Sequence, residues 1–146
     1  MLTALRQLGV EIEEVEGQSS GPRTCFTIVG NDGPFASSGP GPTTLFMGNA
    51  GTAMRPLAAV LCFGDHGSFV LDGVERMRER PIADLVDGLK QLGSDVKCSG
   101  TGCPPVTIAA APVPGGLARI SGQTSSQFIS ALLMAAPLAK GSVEVR

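Results

Sequence analysis

Leu45-Phe46-Met47-Gly48-Asn49-Ala50-Gly51-Thr52-Ala53-Met54-Arg55-Pro56-Leu57 passes from an apolar strand-like run, through a small polar turn, into helix formers that carry one arginine. That order collects the backbone N–H groups of the turn and of the first helical turn at one mouth, at the positive end of the helix dipole. Gly51 has no Cβ to hold a ligand off. The stretch therefore reads either as a seat for a phosphate or carboxylate, or as a plain strand-to-helix turn with a glycine at a tight backbone angle.

The rest of the chain bounds what such a seat can serve. Its 146 residues are enough to bury a core, and 42% of them are hydrophobic,. The mean hydropathy of +0.22 argues against disorder,. A net charge of −2 and a pI near 5.3 provide no global basic field for nucleic acid or an anionic membrane,. Any anion site must be local. Cys25, Cys62, Cys98 and Cys103 contain no C-x-x-C pair, which disfavours a zinc ribbon or redox motif and suits reduced thiols,. Arg55, Asp65, Asp84 and Lys140 interrupt every candidate bilayer span, and the first residues are not a signal peptide,. The chain opens within a helical pattern and stops at Arg146 within a strand pattern, so an internal fragment of a longer protein is expected.

Leu2, Leu5 and Leu8 share a helical face closed by Gly9, and a strand starts at Val10-Glu11-Ile12,. A second strand is expected at Cys25 to Val29, then a Gly-, Pro- and Ser-rich surface loop from Gly30 to Pro42. The helix after Gly51 is expected to start on a Thr52 cap, with Pro56 close to its first turn. It leads to a turn at Gly64-Asp65-His66-Gly67, where His66 reads as a solvated turn residue, and then to a strand at Ser68 to Leu71. The next helix is opened by Pro81 at its first position, lined by Ile82, Leu85, Val86, Leu89 and Leu92, and closed by Gly93. Short strands follow at Asp95 to Cys98, Val106 to Ile108 and Leu117 to Ile120. A helix from about Ser125 to Leu138 precedes a strand beginning at Ser142.

Ala4-Leu5-Arg6-Gln7-Leu8-Gly9-Val10-Glu11-Ile12 matches Gly88-Leu89-Lys90-Gln91-Leu92-Gly93-Ser94-Asp95-Val96 at an offset of 84 residues. Each copy is followed by short strands and then by a polar-capped helix of small apolar residues. Two imperfect copies of one α/β supersecondary unit account for this better than chance, although Leu-Gly helix ends are common. Short strands alternating with buried helices make the fold class α/β.

Two further segments are suited to anions. Arg76-Met77-Arg78-Glu79-Arg80-Pro81, if extended, places three arginines on one face, with Arg80 immediately before a helix N-terminus,. The alternative is a solvated basic turn paired with Glu75 and Glu79. Ser121-Gly122-Gln123-Thr124-Ser125-Ser126-Gln127-Phe128 gathers hydroxyls and an amide at a helix entry, where they can cap the helix or hold a phosphate and sugar-like hydroxyls,.

Together the segments resemble the 5-enolpyruvylshikimate-3-phosphate synthase family. Residues 45–57 are similar to its first signature, and Leu71-Asp72-Gly73-Val74-Glu75-Arg76-Met77-Arg78-Glu79-Arg80-Pro81-Ile82 to its arginine-rich second. Ser125-Ser126-Gln127-Phe128 with residues 131–138 is similar to its serine-serine-glutamine helix. The uninterrupted Asn49 to Pro56 run resembles the plant and enteric, glyphosate-sensitive class. The resemblance implies transfer of the enolpyruvyl group of phosphoenolpyruvate to the 5-hydroxyl of shikimate 3-phosphate, through a tetrahedral intermediate and with release of phosphate. It implies no metal or organic cofactor, no nucleic-acid or membrane partner, glyphosate as inhibitor, and a monomer. The compartment would be the plastid in a plant or alga and the cytoplasm otherwise. By motif position, Gly51, Arg80 and Gln127 would contact phosphoenolpyruvate, and Ser125, Ser126 and Gln127 would hold shikimate 3-phosphate. Asn49 and Arg55 would shape the turn, with Arg55 near the phosphate as the lesser alternative.

The fold implied is part of one lobe of a two-lobed inside-out α/β barrel, with residues 1–146 as a partial enolpyruvyl transferase domain. The family's N-terminal lysine-serine segment and its second lobe, with the catalytic residues, would lie outside this chain. No catalytic residue is therefore assigned here, and the fragment alone is expected to be inactive. Glu75 and Met47 depart mildly from the family pattern. Two rivals stand beside this reading. One is the enolpyruvyl transferase of cell-wall synthesis, whose cysteine loop is not visible here; the other is a non-catalytic anion-binding module of the same descent.

Overall fold

The computed structural model describes residues 1–16, 24–35, 37 and 39–146. The repeat seen at an offset of 84 residues is a structural one. Helix α1 (Leu2–Gln7) and helix α3 (Ala83–Gln91) end in the same way. Gly9 and Gly93 take φ values of +87° and +95°. The Val10 and Ser94 amides donate back to the carbonyls of Leu5 and Leu89 at 3.0 and 3.1 Å. These bonds close both helices on a Schellman motif, which only a residue tolerant of positive φ can make without strain. An antiparallel pair of strands follows each helix: β1 (Ile12–Glu16) with β2 (Thr24–Ile28), and β5 (Asp95–Lys97) with β6 (Val106–Ala110).

A parallel strand–helix–strand crossover completes each copy. In the first, β3 (Thr43–Phe46), α2 (Gly51–Cys62) and β4 (Gly67–Asp72) bring β3 beside β4. In the second, β7 (Gly116–Ala118), α4 (Ser126–Ala135) and β8 (Val143–Val145) do the same. Pairing of β4 with β6 joins the copies into a four-stranded sheet of order β3-β4-β6-β5. One side of that sheet is apolar. Val106, Ile108 and Ala110 of β6 point inward in strict alternation with exposed residues, and Phe69 and Leu71 of β4 join them,. Helices α2 and α3 cover this face, and α4 packs against both helices. The α3 side chains Ile82, Leu85, Val86, Leu89 and Leu92 are all at most 2% exposed, as their spacing predicts,. Each such side chain contributes about 1.5–3 kcal/mol on burial.

Several expected boundaries shift. Helix α2 begins at Gly51 with Ala50 at its cap position, so Thr52 lies inside the helix and does not cap it; Pro56 is also interior rather than at the first turn. Helix α3 begins at Ala83, with Ile82 as its cap, so Pro81 precedes the helix and does not open it. The last helix breaks at Ala135 into a short 3₁₀ turn, Ala136–Leu138, because Pro137 cannot continue the α-helical ladder,. The Gly30 to Pro42 loop contains no helix or strand among its described residues; residues 36 and 38 lie outside them. His66 is an exposed turn residue, as expected. The four cysteines are free, and burial pushes the Cys62 thiol up to about 12. No helix among the described residues is long and apolar enough to cross a membrane.

Candidate anion-binding site

The site grows from the turn after β3. Gly48, at φ +56°, reverses the chain, and its carbonyl accepts from the Val74 amide at 3.1 Å. The turn is thereby tied to the segment that follows β4. Two of the backbone donors expected to face a ligand are already engaged within the turn. Ala50 N–H donates to the Met47 carbonyl at 3.1 Å and Gly51 N–H to that of Asn49 at 3.2 Å. Those two donors are not free for an anion, so side chains must supply part of any attraction here.

The arginine-rich segment is not extended. Residues Glu75–Glu79 form a 3₁₀ helix, which sends the three guanidiniums in different directions. Arg76 pairs with Glu79, and Arg78 pairs with Asp72 while holding its carboxyl below the usual range. Arg80 alone turns toward the site, where its Nη1 donates to the Asn49 carbonyl at 3.1 Å. It stands three positions before the first residue of α3, so the dipole of that helix is not directly behind it.

Helices α2 and α4 are the equivalent helices of the two repeats, and they pack together. Their N-terminal turns therefore share one mouth. Across it, Arg55 Nη1 donates to Gln127 Oε1 at 2.8 Å, although the two residues are 72 positions apart. Arg55 Nη2 donates to the Pro81 carbonyl at 3.3 Å, and the guanidinium carbon lies 5.3 Å from the centre of the Phe128 ring,. Arg55 does not shape its own turn; it bridges α2 to α4. Phe128, Pro81 and Met77 were not among the site residues expected from the sequence. Phe128 directly follows the serine-serine-glutamine run, but nothing in the sequence announced its partner.

Gly51 is where these groups converge. A Cβ built there would lie 2.6 Å from Arg55 Nη1 and 2.8 Å from Arg80 Cζ. The space freed by glycine is thus filled by two guanidiniums. Gly51, Arg55, Met77, Arg80 and Pro81 line a shallow depression beside them. Arg55 is only 7% exposed, and burial, then the charge of Arg80, lowers its pKa. Among the described residues no carboxylate forms an ion pair with Arg55 or Arg80. Two uncompensated cations at one mouth suit a polyanionic ligand.

Ser125 caps α4, its Oγ accepting from the Gln127 amide at 3.2 Å. Ser126 is the first helical residue and is exposed, with its carbonyl accepting from Ser130 Oγ at 3.1 Å. The structure thus brings Gly51, Arg80 and Gln127 to one point around Arg55, with Ser125 and Ser126 at the adjoining helix end.

Comparison with known proteins agrees on a single family. The family model for EPSP synthase (3-phosphoshikimate 1-carboxyvinyltransferase) matches residues 1–146. The chain is 53% identical to the chloroplastic 3-phosphoshikimate 1-carboxyvinyltransferase of Solanum lycopersicum, over 99% of its own length and 28% of that relative's. It is 49% identical to the 3-phosphoshikimate 1-carboxyvinyltransferase of Sulfurovum sp. (strain NBC37-1), covering 32% of it. A solved EPSP synthase structure from Acinetobacter baumannii superposes with a TM-score of 0.77 at 29% identity, over 98% of this chain and 31% of that one. The chain spans under a third of the length of these relatives. A match along the whole chain, in sequence and in fold, places it: the chain belongs to the EPSP synthase (3-phosphoshikimate 1-carboxyvinyltransferase) family.

Proposed function

We propose that the protein containing this chain transfers the enolpyruvyl group of phosphoenolpyruvate to the 5-hydroxyl of shikimate 3-phosphate. In this reading the 5-hydroxyl gives up its proton as its oxygen adds to C2 of phosphoenolpyruvate, and a proton adds to C3. Phosphate then leaves C2, and loss of a proton from the new methyl group restores the double bond. Residues 1–146 form a partial domain, most of one lobe, that contributes substrate-binding groups; the proton-transfer groups belong to the rest of the protein. The isolated 146-residue chain is accordingly expected to show no turnover. The compartment follows the source: the plastid for a plant or alga, the cytoplasm for a bacterium.

The observation that supports this reading is the convergence of Arg55 and Arg80 on Gly51, with Gln127 bonded to Arg55 and, among the described residues, no carboxylate paired to either arginine. Both substrates carry phosphate, and phosphoenolpyruvate adds a carboxylate, so fixed positive charge is what this half of the site must supply. We assign Gly51, Arg80 and Gln127 to phosphoenolpyruvate. Ser125, Ser126 and Gln127 are assigned to shikimate 3-phosphate, whose phosphate would meet the hydroxyls and dipole at the start of α4. Glyphosate is assigned to the phosphoenolpyruvate side of the same mouth.

Phosphate release by the full-length protein, measured with each substrate varied in turn, tests the activity. Arg80→Lys tests the assignment. Lysine keeps the charge but loses the planar fork, so the KM for phosphoenolpyruvate is expected to rise roughly tenfold, with a much smaller rise for shikimate 3-phosphate. Equal rises would assign Arg80 a structural role through its bond to the Asn49 carbonyl.

A further inference from the structure

Arg55 poses a problem that the substrate assignments leave open. It is a buried cation without a paired acid among the described residues, and its Nε is buried with no partner at all. Burying an ion in this way is costly unless the charge or its hydrogen bonds are used. The aromatic face of Phe128 and the Pro81 carbonyl compensate part of that cost. The remaining short contact is to Gln127, and its chemistry has a direction. A guanidinium has five donors and no acceptor. Only the oxygen of the Gln127 amide can face it, whichever way the amide is drawn. The NH2 end must then point away from Arg55. An unconstrained glutamine could present either end to a ligand; this one is held to a single choice.

We infer that Arg55 is a positioning residue that locks Gln127 as a hydrogen-bond donor, so that the place facing Gln127 accepts only a ligand oxygen with a free lone pair. This inference rests on the proposed assignment of Gln127 to the substrates and specifies it further. A carboxylate, a phosphate oxygen or an ether-like oxygen fits such a place. A group that needs an acceptor from the protein does not. The device also separates two roles of the arginine. Its charge acts on any anion at the mouth, whereas its Nη1–H acts only through Gln127.

A double-mutant cycle in the full-length protein separates these roles. Arg55→Lys retains the charge and much of the stem but not the fixed fork. It is expected to raise the KM for phosphoenolpyruvate about tenfold with a smaller change in kcat. In a Gln127→Ala background the same Arg55→Lys change is expected to have no further effect. A tenfold effect that persists with Gln127 absent would overturn the inference, and so would no effect of Arg55→Lys at all, because Gln127 would then not depend on the fixed guanidinium fork for its orientation. Gln127→Glu gives an independent reading, available even if the Arg55 variant does not fold. A glutamate keeps the bond to Arg55 but offers the ligand only acceptors, so KM should rise at least tenfold above that of Gln127→Ala. A value at or below the alanine variant's would overturn the donor lock. If Gln127→Ala itself leaves both KM values unchanged, the assignment of Gln127 fails first and removes the ground of this inference.

Discussion

Gly51→Ala in the full-length protein is expected to raise the KM for phosphoenolpyruvate by roughly tenfold or more and to weaken inhibition by glyphosate at least as much, while the protein still folds. The new methyl carbon would lie 2.6 Å from Arg55 Nη1 and 2.8 Å from Arg80 Nη1, closer than any real contact allows. Both obstacles are ends of long side chains, so the backbone need not move. The two arginines do not yield equally. Arg55 is held by Gln127, Pro81 and the Phe128 ring, whereas Arg80 is half-buried with one bond, to the Asn49 carbonyl. Arg80 should swing away, and the cation assigned to phosphoenolpyruvate is then misplaced. The change should fall on phosphoenolpyruvate and not on shikimate 3-phosphate, whose assigned serines lie on α4. Steady-state kinetics with each substrate varied, together with the inhibition constant for glyphosate, decide the matter. Unchanged constants for both small anions would show that Gly51 does not border their site.

The elements most legible in the sequence were those set by local rules. The α3 face and both Leu-Gly helix ends follow from spacing and from the tolerance of glycine for positive φ, and each is built as expected,. The repeat was legible because the same local rule is written twice. Misreadings arose where one residue type serves several geometries. Thr52 is a good cap in isolation, but the Gly48 reversal starts the helix two residues earlier, on Ala50. Alternating arginines suit a strand. Here Asp72 captures Arg78 and accepts from the Gly73 amide, and the segment coils into a 3₁₀ turn instead.

The site was legible as a set of segments but not as a set of contacts. Periodicity and capping describe a helix against its own axis and carry nothing about which helix it meets. The Arg55–Gln127 bond depends on how α2 and α4 cross, and the role expected for Arg55, shaping its own turn, came from its nearest neighbours in sequence. The crowding of guanidiniums against Gly51 is equally non-local, because Arg80 arrives from 29 positions away along the chain.

Gly73→Ala is expected to be the most damaging of the small substitutions, lowering stability by about 3 kcal/mol and the melting temperature by several degrees. The contrast with Gly51 lies in what the methyl group would strike. At Gly73 it would run into the carbonyl oxygen of Gly48, with Met77 Cβ and Cγ at 2.8 and 2.9 Å. A backbone carbonyl cannot swing aside as an arginine can. That carbonyl also accepts from the Val74 amide at 3.1 Å, and next to it the Met47 amide donates to the Asp72 carbonyl at 2.7 Å. Relieving the clash must stretch both bonds, which join the turn after β3 to the end of β4. The same turn carries Gly51 and the Asn49 carbonyl that holds Arg80, so the KM for phosphoenolpyruvate should rise along with the loss of stability. Gly100→Ala serves as the control, since a Cβ there meets nothing within 4 Å and the glycine has no positive φ. Its melting temperature is expected to match that of the parent protein. Thermal unfolding of the two full-length variants side by side tests this. Equal melting temperatures would mean that the Gly48–Gly73 approach is looser than the structure has it, and that the turn is not anchored to β4 through this contact.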